Sequence, residues 1–365
     1  MRILKRVLLS VLAVLGLYLL VVLGYGTLTD WKPTGVAALQ AYPPPATAAP
    51  RVIEDSLLTF VTWNVGYGGL GAQDYFFYNR GDFFWTDFGK ARSPRENVDR
   101  YVAGQALTVT STESAFFLLQ EVDTASRRSY YTNQLAAAHA ARPDYAAYYA
   151  PNFQSKLVPI PLFQPWDHYG AVQSGLVTLS AYAPDSSERH QLPGEFGWPT
   201  RLFQLDRCAL RQVFRTAGGP DLVVYNVHLS AYDSDGSLRR QQMGYLRERV
   251  LADYAAGHYV VVGGDWNQTP PGFNWFGLNP TVEETILPVG ISFDFLPPGW
   301  AWAYDPTTAT VRKSDESYDA HRSERSVIDF FLCSPNVRIR RVKGLNQDFQ
   351  FSDHQPVYFQ AELLR

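Results

Sequence analysis

Long apolar runs that end in polar residues alternate along this chain with segments of helical spacing. "LLTFVTWNV" (57–65), "AFFLLQEV" (115–122), "SGLVTLS" (174–180), "LFQLDRCALRQVF" (202–214) and "DLVVYNVHLS" (221–230) read as strands. So do "HYVVVGGDWN" (258–267), "SVIDFFLCS" (326–334) and "QPVYFQAEL" (355–363). Their nearly unbroken apolar character is that of strands covered on both faces. In "SPRENVDRYVAGQALTVT", Ser93 is the expected N-cap, Pro94 the first helical residue and Glu96 the partner in a capping box. Val98, Tyr101, Val102, Ala106 and Val109 then follow helical spacing. A second helix is expected over 128–141 and a third over 237–257, stopped by Gly257. The irregular mixture favours two packed sheets with helices outside, a four-layer α/β sandwich, over a regular βαβ series.

Two stretches fit neither period. "DYFFYNRGDFFWTDF" (74–88) is crowded with aromatics, and 268–325 is rich in Pro, Trp and Tyr. Loops of that length are either functional or outer cover, and the pattern leaves both readings open. "GYGGLG" (66–71) lacks the Lys and Ser/Thr of a phosphate-binding loop and reads as a turn.

The N-terminus adds a membrane segment. Arg2, Lys5 and Arg6 make residues 1–6 a basic tail, and an uncharged run follows from 7 to 26. At about 1.5 Å per residue that run matches a hydrocarbon core of about 30 Å. It reads as an uncleaved signal anchor, single pass, with the tail in the cytoplasm and the remainder outside the cytoplasmic membrane of a bacterium. A cleaved signal peptide is the alternative. Residues 27–52, with "AYPPPATAAP" (41–50), read as a Pro/Ala tether, leaving 53–365 as one catalytic domain.

Aromatic residues make up 15% of the chain, which suits a β-rich core or a lined cleft. Residues 1–50 hold four basic side chains against one acid, so 51–365 retain 28 basic and 34 acidic, a net of −6. That sign disfavours nucleic acid as a partner. Cys208 and Cys333 both sit in apolar strand segments, as buried free thiols or as a disulfide.

Polar residues collect at the strand ends: Asn64, Glu121, Asn226 with His228, Asp265 with Asn267, and Asp353 with His354. Asp329 lies between Ile328 and Phe330 inside an apolar run. On an extended backbone Asp265 and Asn267 face one side and Trp266 the other. Phosphoester hydrolysis needs hard oxygen ligands for a divalent cation, an activated water and donors for phosphoryl charge, and this set supplies each. No Gly-x-Ser-x-Gly, His-Glu-x-x-His or dinucleotide fingerprint competes.

"TWNV", "LLQEV", "VVYNVHLS", "VVGGDWN", "VIDFFL" and "FSDHQPV" stand in the order and approximate spacing of the endonuclease/exonuclease/phosphatase superfamily, which the chain resembles from about Leu57 to Leu364. Deoxyribonuclease I, abasic-site endonucleases, inositol-phosphate phosphatases and bacterial sphingomyelinases belong to it. The resemblance implies a two-sheet sandwich with metal-dependent attack of water on a phosphoester at the top of the sheets. It implies Asn64 and Glu121 as metal residues, with Asp353 as a further contributor. Mg2+ is the expected ion and Mn2+ the alternative. Asp265 and Asn267 match the family's Asp-x-Asn, His354 its C-terminal catalytic histidine, Asp329 the acid that orients it, and His228 a phosphate-contacting histidine. Asn226 is a further candidate for substrate contact. Arg207 is a candidate to neutralise phosphate, and "HYGAVQSG" (168–175) the candidate for a substrate-contacting motif. The expected substrate is a lipid headgroup or other small phosphoester. An extracytoplasmic nuclease and a catalytically inactive binding domain are the alternatives.

Overall fold

The computed structural model describes every residue except 34, 44–48, 87–90, 232, 234, 280–288 and 365. Four helices are present among the described residues: α1 (Arg2–Leu28), α2 (Arg95–Ser111), α3 (Gln134–Ala141) and α4 (Ser237–Ala255). The strands before α4 are β1 (Val36–Ala38), β2 (Val52–Ile53), β3 (Leu57–Asn64), β4 (Phe116–Asp123), β5 (Ala146–Val158), β6 (Gly170–Ser180), β7 (Ser186–Gln191), β8 (Cys208–Thr216) and β9 (Leu222–His228). After it come β10 (Tyr259–Asp265), β11 (Ala301–Ala303), β12 (Val311–Arg312), β13 (Arg325–Ser326), β14 (Asp329–Cys333), β15 (Val337–Gly344) and β16 (Val357–Leu363).

All but β12 and β13, which pair with each other, form two large sheets. One runs β1-β7-β8-β9-β10-β14-β11 with β2 beside β8, and the other β15-β16-β3-β4-β6-β5. Their facing sides meet in a core that includes Phe60, Phe116, Leu118, Phe214, Val261 and Phe331. Helix α4 covers the first sheet through Met243, Leu246 and Val250. Val109 of α2 and Leu135 of α3 pack on the outer side of the second. The expected four-layer sandwich is therefore the observed architecture.

Several local expectations are corrected. Ser93 does not cap α2: the N-cap is Pro94 with no side-chain cap bond, and the buried Ser93 hydroxyl donates to the Gly69 carbonyl. The second helix is shorter, beginning at Gln134 with Asn133 as its cap, because Arg127–Ser129 form a separate 3-10 turn. The tether is partly built into the fold, since β1 pairs with β7 and β2 with β8; residues 44–48 lie outside the described chain. Both cysteines are free and buried.

α1 is long and apolar enough to cross a membrane, with 6% of its span buried.

Candidate active site

Topology explains why the strand-end residues converge. β3 runs parallel to β4 in one sheet, and β9 parallel to β10 in the other, so each pair ends at the same edge. β14 runs antiparallel to β10 and starts there, pairing Asp329 with Asp265, while Asp265 also pairs with His228. The turn before β16 delivers Asp353 and His354 to the same edge. The pairing of β4 with β6 shifts between Leu119 and Val122, and Glu121 there has φ 56°. A bulge of this kind re-aims a side chain, and here it turns the carboxylate into the cavity.

That cavity has a volume of about 380 Å³. Glu121, Arg207, His228, Asp265, Asn267, Asp353 and His354 form its polar end. His354 Nδ1 lies 2.9 Å from Asp329 Oδ2, and His354 Nε2 lies 3.8 Å from Asp265 Oδ2. His228 Nε2 is 3.4 Å from that same Asp265 oxygen and 3.9 Å from Glu121 Oε1. Asn64 Nδ2 donates to Glu121 Oε1 at 3.1 Å and to Asp265 Oδ2 at 3.0 Å, bridging the two sheets.

Asp265 and Asn267 do both line the cavity, but the strand stops at Asp265. Asn267 adopts φ 49°, its backbone N–H donating to Asp265 Oδ1 at 2.9 Å, so a turn rather than an extended strand aims it. Trp266 points away, fully buried and stacked on Phe330 at 5.2 Å between ring centroids. Asn226 does not reach the cavity. It is fully buried, donating to the carbonyls of Leu119 and Val177 at 3.1 and 2.9 Å and accepting from Gln120 Nε2 at 2.8 Å, so it braces the two sheets instead of meeting substrate.

The electrostatics separate the roles. Burial alone would lower the His354 pKa, but the carboxylates of Asp329 and Asp265 outweigh it and push it up to about 10, which leaves an imidazolium at neutral pH. Burial, with Arg207 and His354 adding to it, holds His228 well below its ordinary value and therefore neutral. Burial pushes Asp265 up to about 6, opposed by His354. Burial also raises Asp353, with His354 and Arg312 opposing it and Glu121 adding to the rise. Glu121 and Asp353 thus bring two crowded carboxyl groups to the cavity, hard oxygen donors that suit a divalent cation, while Asn64 lies behind them, its Nδ2 turned to Glu121 and its Oδ1 accepting from Gly66 N at 3.0 Å. Asp265, Asp329 and His354 also lie within 4.8 Å of one another, but the Asp329 contact to Nδ1 makes that trio an ion-pair chain rather than a cation cage.

Sequence reasoning missed the cavity's flank. Arg128 lies over the Tyr67 ring at 3.9 Å, is held by Asp123 at 2.9 Å, and stands beside the Tyr67 hydroxyl, itself 2.8 Å from that of Tyr169. Tyr169 belongs to "HYGAVQSG", so that motif does supply a wall residue. Arg312 also lines the cavity and donates to the carbonyls of Leu70, Gly71 and Asp74. Phe76, Phe77 and Ser314 also line it, so both aperiodic stretches contribute to the cavity, although 87–90 and 280–288 lie outside the described residues.

The sequence profile of the Endonuclease/Exonuclease/phosphatase family matches residues 61–354, from within β3 to the site histidine. The chain belongs to this family. No curated protein sequence matches it. Among solved structures it is similar to an endonuclease/exonuclease/phosphatase from Beutenbergia cavernae DSM 12333, with 18% identity, 84% of this chain and 72% of that one covered, and a TM-score of 0.52. It is also similar to TDP2 from Caenorhabditis elegans, with 14% identity, 84% and 74% covered, and a TM-score of 0.51. A third is ANGEL2, a 2',3'-cyclic phosphatase, with 14% identity, 91% and 100% covered, and a TM-score of 0.51. At these identities the structures establish the shared fold, and family membership makes the chain a phosphoester hydrolase.

Proposed function

We propose that this family member is a membrane-anchored, outward-facing phosphoesterase that uses Mg2+, or Mn2+ in its place, to hydrolyse a lipid headgroup or other small phosphoester. One observation carries the reading: His354, Asp265 and His228 follow one another along the cavity and face Glu121, with the buried Asp329 behind His354. Asn64, Glu121 and Asp353 are the residues that would hold the cation, whose charge would neutralise phosphoryl oxygens. Asp265, ionised above about pH 6, accepts the proton of the attacking water. Neutral His228, Asn267 and Arg207 offer donors to the phosphoryl group. His354, fixed as a cation by Asp329, stabilises the charge that develops and is placed to protonate the leaving oxygen.

The test is hydrolysis of bis(4-nitrophenyl) phosphate and of phospholipid with Mg2+. Glu121→Ala and His354→Ala should each lower the rate by about 100-fold or more. Activity that survives both changes would overturn the assignment of the site. Duplex DNA in the same assay separates the nuclease, since efficient cleavage falling steeply with salt would move the substrate there.

A further inference from the structure

One stripe of α1 is packed on the domain that follows it. Leu15, Tyr18, Leu19, Val22, Leu23 and Gly26 are buried or half-buried at helical spacing, and most of the remaining helix surface is exposed. The Tyr18 hydroxyl donates to the Leu162 carbonyl at 2.7 Å and lies 3.2 Å from His168 Nε2. At Gly26 a methyl group would come within 3.3 Å of Leu202 and 3.5 Å of Phe203. From Leu15 to Gly26 the helix rises about 16 Å at about 1.5 Å per residue. That is about half of a hydrocarbon core of about 30 Å.

The surface at this depth is aromatic. Phe84, Trp85 and Trp166 are each more than half exposed. Phe163 stacks on Phe84 at 5.6 Å and contacts Trp85 at 5.7 Å. The polar groups behind them are satisfied internally: Gln164 accepts from Thr86 N at 2.6 Å and donates to Thr86 O at 3.0 Å, and Asp167 accepts from Ala91 N at 3.2 Å. Leu162 and Phe163 donate backbone bonds to Phe83 and Phe84. Internal pairing of this kind is what a loop needs where water is absent. Toward the end of α1 the character changes to that of a membrane interface. Trp198 Nε1 donates to Thr27 Oγ1 at 3.2 Å, and Asp30 meets Lys32 and Arg201 at 3.5 and 3.6 Å.

The cavity continues this polarity. Its far wall is apolar, formed by Phe77, Val158, Ile160, Phe203 and Leu205, and Phe203 is the ring that also approaches Gly26. We propose that the lobe formed by residues 83–86 and 160–168 sits in the outer half of the bilayer beside α1, and that the substrate is a phospholipid whose apolar body lies along Phe203 while its phosphate reaches Asp265 and His354. This deepens the function proposed above and rests on α1 crossing the membrane.

α1 contains no tryptophan, so quenching of tryptophan fluorescence by lipid reports on the domain. The full chain is reconstituted in phosphatidylcholine vesicles with brominated acyl chains. Wild type should be quenched, and Trp85→Phe with Trp166→Phe should remove most of that quenching. No quenching in wild type, or the same quenching in the double variant, overturns the proposal. In a second measurement, Trp85→Glu with Trp166→Glu should lower phospholipid hydrolysis in vesicles about tenfold while bis(4-nitrophenyl) phosphate hydrolysis stays within about twofold. Equal loss on both substrates, or no loss on either, overturns it too. Absence of wild-type turnover of the soluble ester would sink the enzymatic reading of the site, and the quenching would still decide the position of the lobe.

Discussion

Asp329 is fully buried and does not line the cavity, yet it sets the charge of a residue that does. Asp329→Asn keeps the shape and removes the carboxylate that favours the His354 cation. The expected outcome is a fall in kcat of about 100-fold with little change in KM, because the lost interaction serves the transition state more than binding. Steady-state kinetics on a soluble diester checks it, and a change confined to KM would remove Asp329 from this role. Asp206, which does not itself line the cavity but stands between Leu205 and Arg207, offers a second test of the electrostatics. Burial pushes its carboxyl from 3.8 up to about 7. A folded-state pKa raised in this way gives stability that is fully present below 3.8 and lost as pH rises through about 7. Asp206→Asn removes that loss, so its Tm should exceed wild type by a few degrees at pH 8 and by much less at pH 4. A pH-independent difference in thermal melts would contradict the assignment.

At the scale of elements, the two glycines before Asp265 show how tightly β10 is packed. A methyl group on Gly264 would lie 2.0 Å from the Val227 carbonyl oxygen of β9, and one on Gly263 would meet Phe331 of the adjacent strand β14 and Leu118 of the opposing sheet. Gly264→Ala should therefore cost about 2–4 kcal/mol through displaced backbone. Its chemical denaturation midpoint should fall accordingly; a midpoint equal to wild type would show that β9 yields without cost. The central strands were legible because they are buried on both faces, and the site residues were legible because they interrupt those runs at their ends. Strands at the edges of the sheets or next to them were not. β7, "SSERHQ", and β15, "VRIRRVKG", carry too much charge to stand out, since their outer positions face solvent or neighbouring loops. Arg312 and the Tyr67, Arg128, Tyr169 group were hidden for a different reason. Their place in the cavity depends on long-range packing, as when Arg312 bonds carbonyls some 240 residues earlier, and no local period records it. Asn226 misled for the converse reason: a strand-end amide two residues before a site histidine lies on the same face, but one step deeper, where only the other sheet is in reach.

Across the whole molecule the site is divided between the sheets. Asn64 and Glu121 come from the six-stranded sheet, and Asp353 from the turn that leads into its strand β16. His228, Asp265 and Asp329 come from the other sheet, with Asn267 just beyond β10, and His354 crosses from one to the other to meet Asp329. The carboxyl groups of Glu121, Asp353 and Asp265 are thereby brought to one cavity, where their like charge opposes the packing of the sheets. A divalent cation that binds only the folded chain relieves that opposition. At about 100 times its Kd it adds about 2.7 kcal/mol. For a domain of this size that corresponds to a Tm increase of roughly 5 °C. Thermal melts should show this rise with Mg2+ over EDTA, saturating with concentration, and Glu121→Ala should abolish it. The apo Glu121→Ala chain should melt at or above apo wild type, because one of the crowded charges is gone. A Mg2+-dependent rise that persists in Glu121→Ala would place the cation elsewhere, and no rise in wild type would separate the chemistry of this site from metal altogether.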